Sequence, residues 1–535
     1  MTRVVDTYPI FNHTWDEPAH IAAGLELLDI GTYSYEQQHP PLARMAMALG
    51  PYLNGRRSER ETVPEMYAEG NRILYQGERY ERVLTMARLG NLPFLVVTLL
   101  ATWGWARKLL GVWPAVLAVL FAATVPPLLG NAGLATLDVA VAGLGVASLI
   151  VFCDWLERPN FWSGAALGAV TGAAIMTKFS AIPFLGASFL AIVVWRSWIC
   201  FRNRQRLILA SSAHMKTSVA AIALLLVVFW LAYGLGTSSL ADPADRPYEL
   251  VDSMLGSDSR LSEIVSDIIE TPVFPIFIPK IMEGMQELFA HNSRGHRSFL
   301  LGRVRAKGWR YYYLVNLGVK TPTPLLIFGL GGIGMLLGAS IQKRDWRLAA
   351  PALAFLSVLF FSSVYSNINI GNRHILILYP LLAIGAAYAV ARLIGARGRN
   401  TLTLAIGGVL ITWQVAVSFS AHPDNMSYFN IMAGSKPERV LIGADLDWGQ
   451  DLKRLATELR TREIKSIAIA YNGSADLSQH ELPEYTLLQP KTPQTGWIAI
   501  SLWTLELSGE SYRWLRTHKP IARVGTSINL YYIDQ

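Results

Sequence analysis

The chain has 535 residues, 52% of them hydrophobic and 16% charged, with a mean hydropathy of +0.30 and a net charge of +8. Soluble globular chains carry about 25% charged residues, so this deficit excludes an ordinary water-soluble domain and points to a surface facing hydrocarbon. The basic residues sit in short loops between apolar runs rather than along one stripe, which argues against a nucleic-acid partner.

In chain order, residues 1–87 come first and are largely polar, with amphipathic spacing over 17–29 and 40–53 that suits helices lying in a membrane interface. A spanning helix needs about 20 mostly apolar residues. Ten runs approach that length: 88–106, 113–130, 134–153, 161–176, 179–199, 217–236, 322–341, 348–365, 374–391 and 402–420. Two blocks of spans follow, 88–236 and 322–420, separated by a second large loop, 237–321. Asp242-Pro243 and Pro272, Pro275 and Pro279 break that loop, around amphipathic pieces such as 280–290. The segment 421–535 changes character. Strands are predicted over 438–444, 465–471, 496–502 and 527–533, with a helix near 449–461, giving a small α/β domain. The fold class is therefore mainly α: a polytopic transmembrane bundle with interfacial helices in its outer loops and a small C-terminal α/β domain.

Lysine and arginine orient the bundle. One set of loops holds Arg107, Lys108, Arg158, Arg202, Arg204, Arg206, Lys216, Lys343, Arg344, Arg347, Arg392, Arg397 and Arg399, and the alternate short loops hold little beyond Lys178 and Arg373. The first set is cytoplasmic, so 1–87, 237–321 and 421–535 face outward in an inner (plasma) membrane. An even number of spans leaves the polar N-terminal segment outside with nothing apolar before it, so a further helix is expected upstream. Cys153 and Cys200 end apolar runs on the cytoplasmic side, where a disulfide is not expected. Asn12, Asn425 and Asn472 head triplets that match glycosylation acceptors and are read as chance matches.

Three places carry charge where chemistry could use it. Trp15-Asp16-Glu17-Pro18 opens an amphipathic helix and is followed by His39-Pro40-Pro41-Leu42-Ala43-Arg44. Asp16 could serve equally as a helix cap or as a general base at a dry interface. Asp138 lies at the outer end of an apolar helix and Lys178 between two apolar helices on the same face. Intramembrane charges are costly and functional by default, against interfacial solvation for the aspartate and snorkelling for the lysine. Gly371-Asn372-Arg373-His374 opens a helix in a short outer loop, a natural phosphate site, against a merely solvated charge.

Together with Thr177-Lys178, Gly295-His296 and Lys320-Thr321-Pro322, these motifs resemble the protein O-mannosyltransferases and, more broadly, glycosyltransferase family thirty-nine of the GT-C fold, over about residues 12–420. The resemblance implies transfer of one sugar from a polyprenyl-phosphate donor, with inversion, to a protein or an envelope lipid or glycan acceptor among membrane lipids. It implies Asp16 as base or acceptor-orienting carboxylate, Glu17 supporting it and Asp138 as the second acidic residue of the site. Lys178, Arg373 and His374 would neutralise the lipid phosphate, and His39, Arg44 and His296 would organise the cavity. A first transmembrane helix and the β-trefoil of eukaryotic members are not seen, which favours a bacterial-type relative. No ligand cluster has metal spacing, though His and Glu near the outer face leave room for a divalent ion. Asp445-x-Asp447 offers a competing metal and nucleotide-sugar reading, weakened because Asp at a strand end is usually a turn or cap. A multi-pass transporter is the rival from another class. It would need polar groups near mid-membrane on several helices.

Overall fold

The computed structural model describes residues 1–204, 212–234, 260, 277–395 and 401–534. Each of the ten apolar runs forms helix. Among the described residues, seven stretches are long and apolar enough to cross a membrane: Tyr80–Leu110, Asp138–Glu157 (α9), Ala181–Arg202 (α11), Ser212–Ala232 (α12), Thr323–Lys343 (α15), Trp346–Tyr365 and Leu378–Gly395 (α17). The first of these is α5 (Tyr80–Leu89) running into α6 (Leu92–Leu110), and the sixth contains α16 (Ala350–Tyr365). The run predicted at 113–130 is two helices, α7 (Val112–Ala123) and α8 (Pro126–Ala132), bent by 66°. The cause is local: Pro126 lacks an N–H, and Val125 before it is extended. Phe161–Thr177 (α10) and Leu404–Ser420, most of α18 (Thr401–Ser420), are shorter apolar helices.

Helix α17 is the centre of the bundle. Every residue from Leu378 to Val390 is buried, against α6, α7, α15 and α16. Glycines let the backbones close up: a Cβ at Gly332 on α15 would collide with the Gly385 carbonyl on α17, and one at Gly168 on α10 with the Ala221 carbonyl on α12. At one end of the bundle Lys108 pairs with Asp154, Arg347 with Glu157 at 3.1 Å, and Asn203 donates to the Arg344 carbonyl at 3.4 Å. The predicted basic loops thus gather at one end. Arg206, Arg397 and Arg399 lie outside the described residues, as do Asp242-Pro243, Pro272 and Pro275. Pro279 lies in the first turn of α13 (Phe277–Arg294), which covers the expected amphipathic piece.

The segment before α6 folds as a helical cap with α1 (Thr2–Val5), α2 (Glu17–Asp29), α3 (Pro41–Leu53), α4 (Met66–Tyr75) and α5. Its helices match the predicted bounds, but α2 is more enclosed than amphipathic spacing predicts. Residues Glu17 to Leu27 are all buried, because both α3 and α4 pack against it. Gly24 lies against the Arg44 carbonyl and Gly70 against that of Pro18.

Past the short helix α14 (Tyr312–Lys320) and the last apolar helix, the chain builds a five-stranded mixed sheet in the order β4-β3-β5-β7-β6. Its strands are β3 (Ser466–Ala470), β4 (Glu484–Leu487), β5 (Gly496–Ser501), β6 (Ala522–Val524) and β7 (Ile528–Ile533); β1 (Ser298–Leu300) and β2 (Arg303–Arg305) form a separate hairpin. Helix α19 (Leu452–Thr461) covers one face through Leu452, Leu455 and Leu459, and α20 (Leu502–Leu507) with Leu515 covers the other. The strand expected at 438–444 is instead two 3-10 turns, Pro437–Arg439 and Gly443–Asp445, set by Pro437 and by Gly443 at φ 73°. The short β4 and β6 carry too little alternation to be seen in sequence. Asn12, Asn425 and Asn472 are all buried.

Gly332→Val should destabilise the bundle by about 1–3 kcal/mol through overpacking, seen as a lower Tm in detergent. Gly334→Ala, with open space around it, should leave Tm unchanged. Equal melting of both variants would remove α15–α17 contact as the cause.

Candidate active site

Four helix ends meet at the end of the bundle opposite the basic loops. Asp16 precedes α2, Asp138 is the first residue of α9, Lys178 follows α10, and Arg373 lies in the 3-10 turn Asn372–Ile375 that precedes α17. Their charges alternate along one chain of contacts. Arg373 Nη1 donates to Asp16 Oδ2 at 2.6 Å and stands 4.0 Å from Asp138 Oδ2, while Lys178 Nζ donates to Asp138 Oδ1 at 2.6 Å. The Asp138 side chain is 2% exposed and those of Lys178 and Arg373 are 11%, whereas Asp16 keeps 22%. Asp16 makes no side-chain bond to cap α2, Lys178 does not reach for solvent, and Arg373 is not a solvated loop charge. Of the two carboxylates in this chain of contacts, Asp16 is the more open.

A second cluster lies beside the first. Arg44, 1% exposed, bonds the Glu36 carboxylate, the Tyr33 hydroxyl at 2.7 Å and His20 Nδ1 at 3.2 Å. His39 Nδ1 pairs with Glu36 at 2.8 Å and its ring packs edge-on to His20 at 5.6 Å. Burial would raise the Glu36 carboxyl, but His39 and Arg44 outweigh it and hold it well below the usual carboxylate range. His20, buried beside Arg44 and His39, is pushed well below its ordinary value and stays neutral. His374 lies within electrostatic reach of Lys178, Arg373 and His39, with its Nε2 buried and without a hydrogen-bond partner. His296 is exposed at the rim, where it feels Arg373 and Asp16. Glu36 and His20 escaped the sequence reading because a carboxylate in irregular chain and a histidine inside an apolar helix leave no periodic mark.

Glu17 does not join this group. It is fully buried and accepts from Arg88 Nε at 2.9 Å and Nη2 at 3.0 Å, from Thr14 N at 2.7 Å and from Ala135 N at 2.9 Å. Its acceptor capacity is filled by the scaffold, so it positions the site rather than facing a ligand. Burial alone would raise its carboxyl, but Arg88 and the N–H donors outweigh that and hold it below its ordinary value. Asp445 and Asp447 are buried too and accept from protein donors: Asn372 N at 2.9 Å and Asn316 Nδ2 at 2.7 Å for the first, Trp503 N at 2.8 Å for the second. A paired metal site at Asp445-x-Asp447 is not what these side chains build. Among the described residues no group of three or more His, Cys, Asp or Glu could hold a metal ion. A cleft of about 90 Å³ bounded by Trp105, Lys108, Asp154, Glu157 and Arg347 lies at the basic end, where those charges pair with one another.

These features define a class: a multi-pass membrane protein, mainly helical, with a cluster of paired charges at one end of its bundle and a small α/β domain beside it. No protein-family model matches the sequence, and no curated protein matches it. Among solved structures, the chain is similar to ArnT from Cupriavidus metallidurans bound to undecaprenyl phosphate, with TM-score 0.48 and 14% identity over 99% of this chain and 96% of that one. It is similar to the same protein in the apo state at TM-score 0.46 and 14% identity, with the same coverage. The apo Archaeoglobus fulgidus oligosaccharyltransferase gives TM-score 0.46 and 12% identity over 78% of this chain and 53% of that one. The roles of the residues rest on their own geometry.

Removing one partner of a buried ion pair costs about 3–5 kcal/mol, so Glu17→Gln should sharply reduce the yield of folded protein, while Asp16→Asn should melt near wild type. The pH dependence of stability has a definite sign. With its folded pKa depressed, Glu17 contributes fully above the unfolded value of about 4.3 and loses that contribution as pH falls through the lower folded value. Acid unfolding of wild type followed by fluorescence should show this loss, and Glu17→Gln should not.

Proposed function

We propose that this chain is a GT-C type glycosyltransferase of the inner (plasma) membrane. It moves one sugar from a polyprenyl-phosphate donor to a protein or an envelope lipid or glycan on the extracytoplasmic face. The observation that carries the proposal is the alternating chain Asp16, Arg373, Asp138, Lys178 at the helix ends away from the basic loops. A sugar transfer from a lipid phosphate needs these parts. A carboxylate open to the pocket takes the proton of the acceptor hydroxyl or amide, and two cations meet the charge that grows on the phosphate as its bond to the anomeric carbon breaks. Attack from the face opposite the leaving phosphate inverts that carbon. Asp16 is the candidate base, Arg373 and Lys178 the candidate phosphate ligands with His374 beside them, and Asp138 the anion that holds both cations in place. His39 and Arg44 stiffen the wall through Glu36, and His296 borders the entrance. In this state Arg373 engages Asp16, so donor phosphate drawing Arg373 away would leave the base free for the acceptor.

The interior of the bundle supports this reading over a transporter. Four buried hydroxyls there bond back to their own helix: Thr98 to the Phe94 carbonyl, Thr102 to that of Thr98, Ser148 to that of Leu144 and Ser188 to that of Phe184. None of these four is left over for a substrate at mid-membrane.

Asp16→Asn should lower transfer of labelled sugar from polyprenyl phosphate by roughly 10²–10⁴-fold while donor binding persists. Arg373→Ala should raise the donor KM more than the acceptor KM. Wild-type-like turnover of the first variant, or an unchanged donor KM in the second, would sink the assignment; label accumulating inside vesicles without transfer would favour the transporter.

A further inference from the structure

We infer that Trp448 and Asp445, in the segment Asp445-Leu446-Asp447-Trp448-Gly449-Gln450-Asp451, are positioning residues for the Asp16 and Arg373 pair. The C-terminal domain would thereby be a structural component of the site rather than an appendage. The inference rests on the function proposed above and assigns this segment its part in it.

Two contacts make Trp448 a jig. Its indole ring lies under the Arg373 guanidinium, 4.4 Å from ring centroid to Cζ, and its carbonyl accepts from the N–H of Trp15, the residue before Asp16, at 3.1 Å. One residue of the C-terminal segment therefore touches Arg373 and the residue next to Asp16, and the two members of that pair come from positions 357 apart in the chain. Arg373 Nε is buried without a hydrogen-bond partner, so the stacked ring and the carboxylate fix the plane of the guanidinium. Trp448 is itself 7% exposed and held by its own N–H to Gln450 Oε1 at 2.8 Å.

Asp445 fixes the backbone that carries Arg373. Its carboxylate accepts the N–H of Asn372 at 2.9 Å, and Asn372 Nδ2 in turn bonds Asn316 Oδ1 and Tyr379 Oη, both at 2.8 Å. The Asp445 carbonyl accepts from Lys320 Nζ at 2.7 Å, which ties the segment to the end of α14. Close approach is part of the arrangement. Gly371, at φ 121°, faces Ala444, and a Cβ there would stand 3.1 Å from the Ala444 Cβ. On the other side Asn12 donates to the Gly449 carbonyl at 2.7 Å and accepts from Leu452 N at 2.8 Å, anchoring the N-terminal loop to the same segment.

The test uses the full chain in detergent, with amounts normalised to folded protein. Affinity for undecaprenyl phosphate is read from the thermal shift it produces, and donor and acceptor KM are read from transfer. Trp448→Ala should weaken undecaprenyl phosphate binding and raise donor KM roughly tenfold, the scale of a partly buried cation–π contact. Trp448→Phe should recover most of that, and acceptor KM should move little. In the Arg373→Ala background Trp448→Ala should add nothing further, a non-additivity that mere loss of stability does not produce. Asp447→Asn controls for damage to the domain, since Asp447 bonds to Gly449 N and Trp503 N within it. The inference is overturned if Trp448→Ala binds and turns over like wild type, if its loss is the same with and without Arg373, or if Asp447→Asn reproduces it. An Arg373→Ala variant with unaltered donor binding instead overturns the phosphate site itself, and this inference with it.

Discussion

The site depends on one buried ion pair that takes no part in it. Glu17 and Arg88 neutralise each other with no access to water, and the carboxylate reaches further, to the Thr14 and Ala135 amides. Thr14 lies two residues before Asp16, and Ala135 three before Asp138. A single side chain thus sets the approach of the N-terminal loop to the start of α9 and, with it, the spacing of the two carboxylates between which Arg373 sits. A buried pair of this kind adds little to net stability, but it admits few alternative arrangements. Here that selectivity is put to use, because an alternating chain of charges works only if each member is held at contact distance.

Much of the bundle could be read from the amino acids, since a span in hydrocarbon must satisfy its backbone internally and be apolar for most of its length. The ten runs and the grouping of basic loops at one end followed from that constraint, and amphipathic spacing marked the helices expected at 17–29 and 40–53. The candidates Asp16, Asp138, Lys178 and Arg373 stood out as well, because charge next to long apolar stretches is conspicuous. Partnership was not legible. Glu17 beside Asp16 looks like a second acid of the same kind, yet the start of α2 sets one carboxylate against Arg373 and buries the next against Arg88. Arg88 reads as a flank of a span, and Glu36 and Trp448 sit in irregular chain where spacing carries no message. The 438–444 stretch has strand-forming residues, but Pro437 and Gly443 and the docking of Asp445 override them.

The C-terminal domain has an ordinary core of its own, with α19 and α20 on opposite faces of a mixed sheet. Its first loop is not ordinary. Asp445, Asp447 and Asp451 are all buried and hydrogen-bonded, an expensive concentration of carboxylates for a surface loop. Asp451 accepts from Thr526 N and Ser527 N and so closes the loop onto the sheet, while Asp445 closes it onto the helical bundle. The loop is rigid in both directions. A rigid coupling is what a site assembled from distant parts of a chain requires, since a misplacement of an ångström there is costly.

The burial of Asn12, Asn425 and Asn472 has a practical reach. Each heads an acceptor triplet, and each amide is enclosed once the chain has folded: Asn12 bridges to the C-terminal segment, and a Cβ on the neighbouring Gly130 would already overlap the backbone at Met426. A eukaryotic secretory host decorates such triplets on the nascent, still unfolded polypeptide. There a bulky oligosaccharide on Asn12 would lock the N-terminal loop out of its seat, and recombinant material would accumulate misassembled. Production in bacterial membranes avoids that trap.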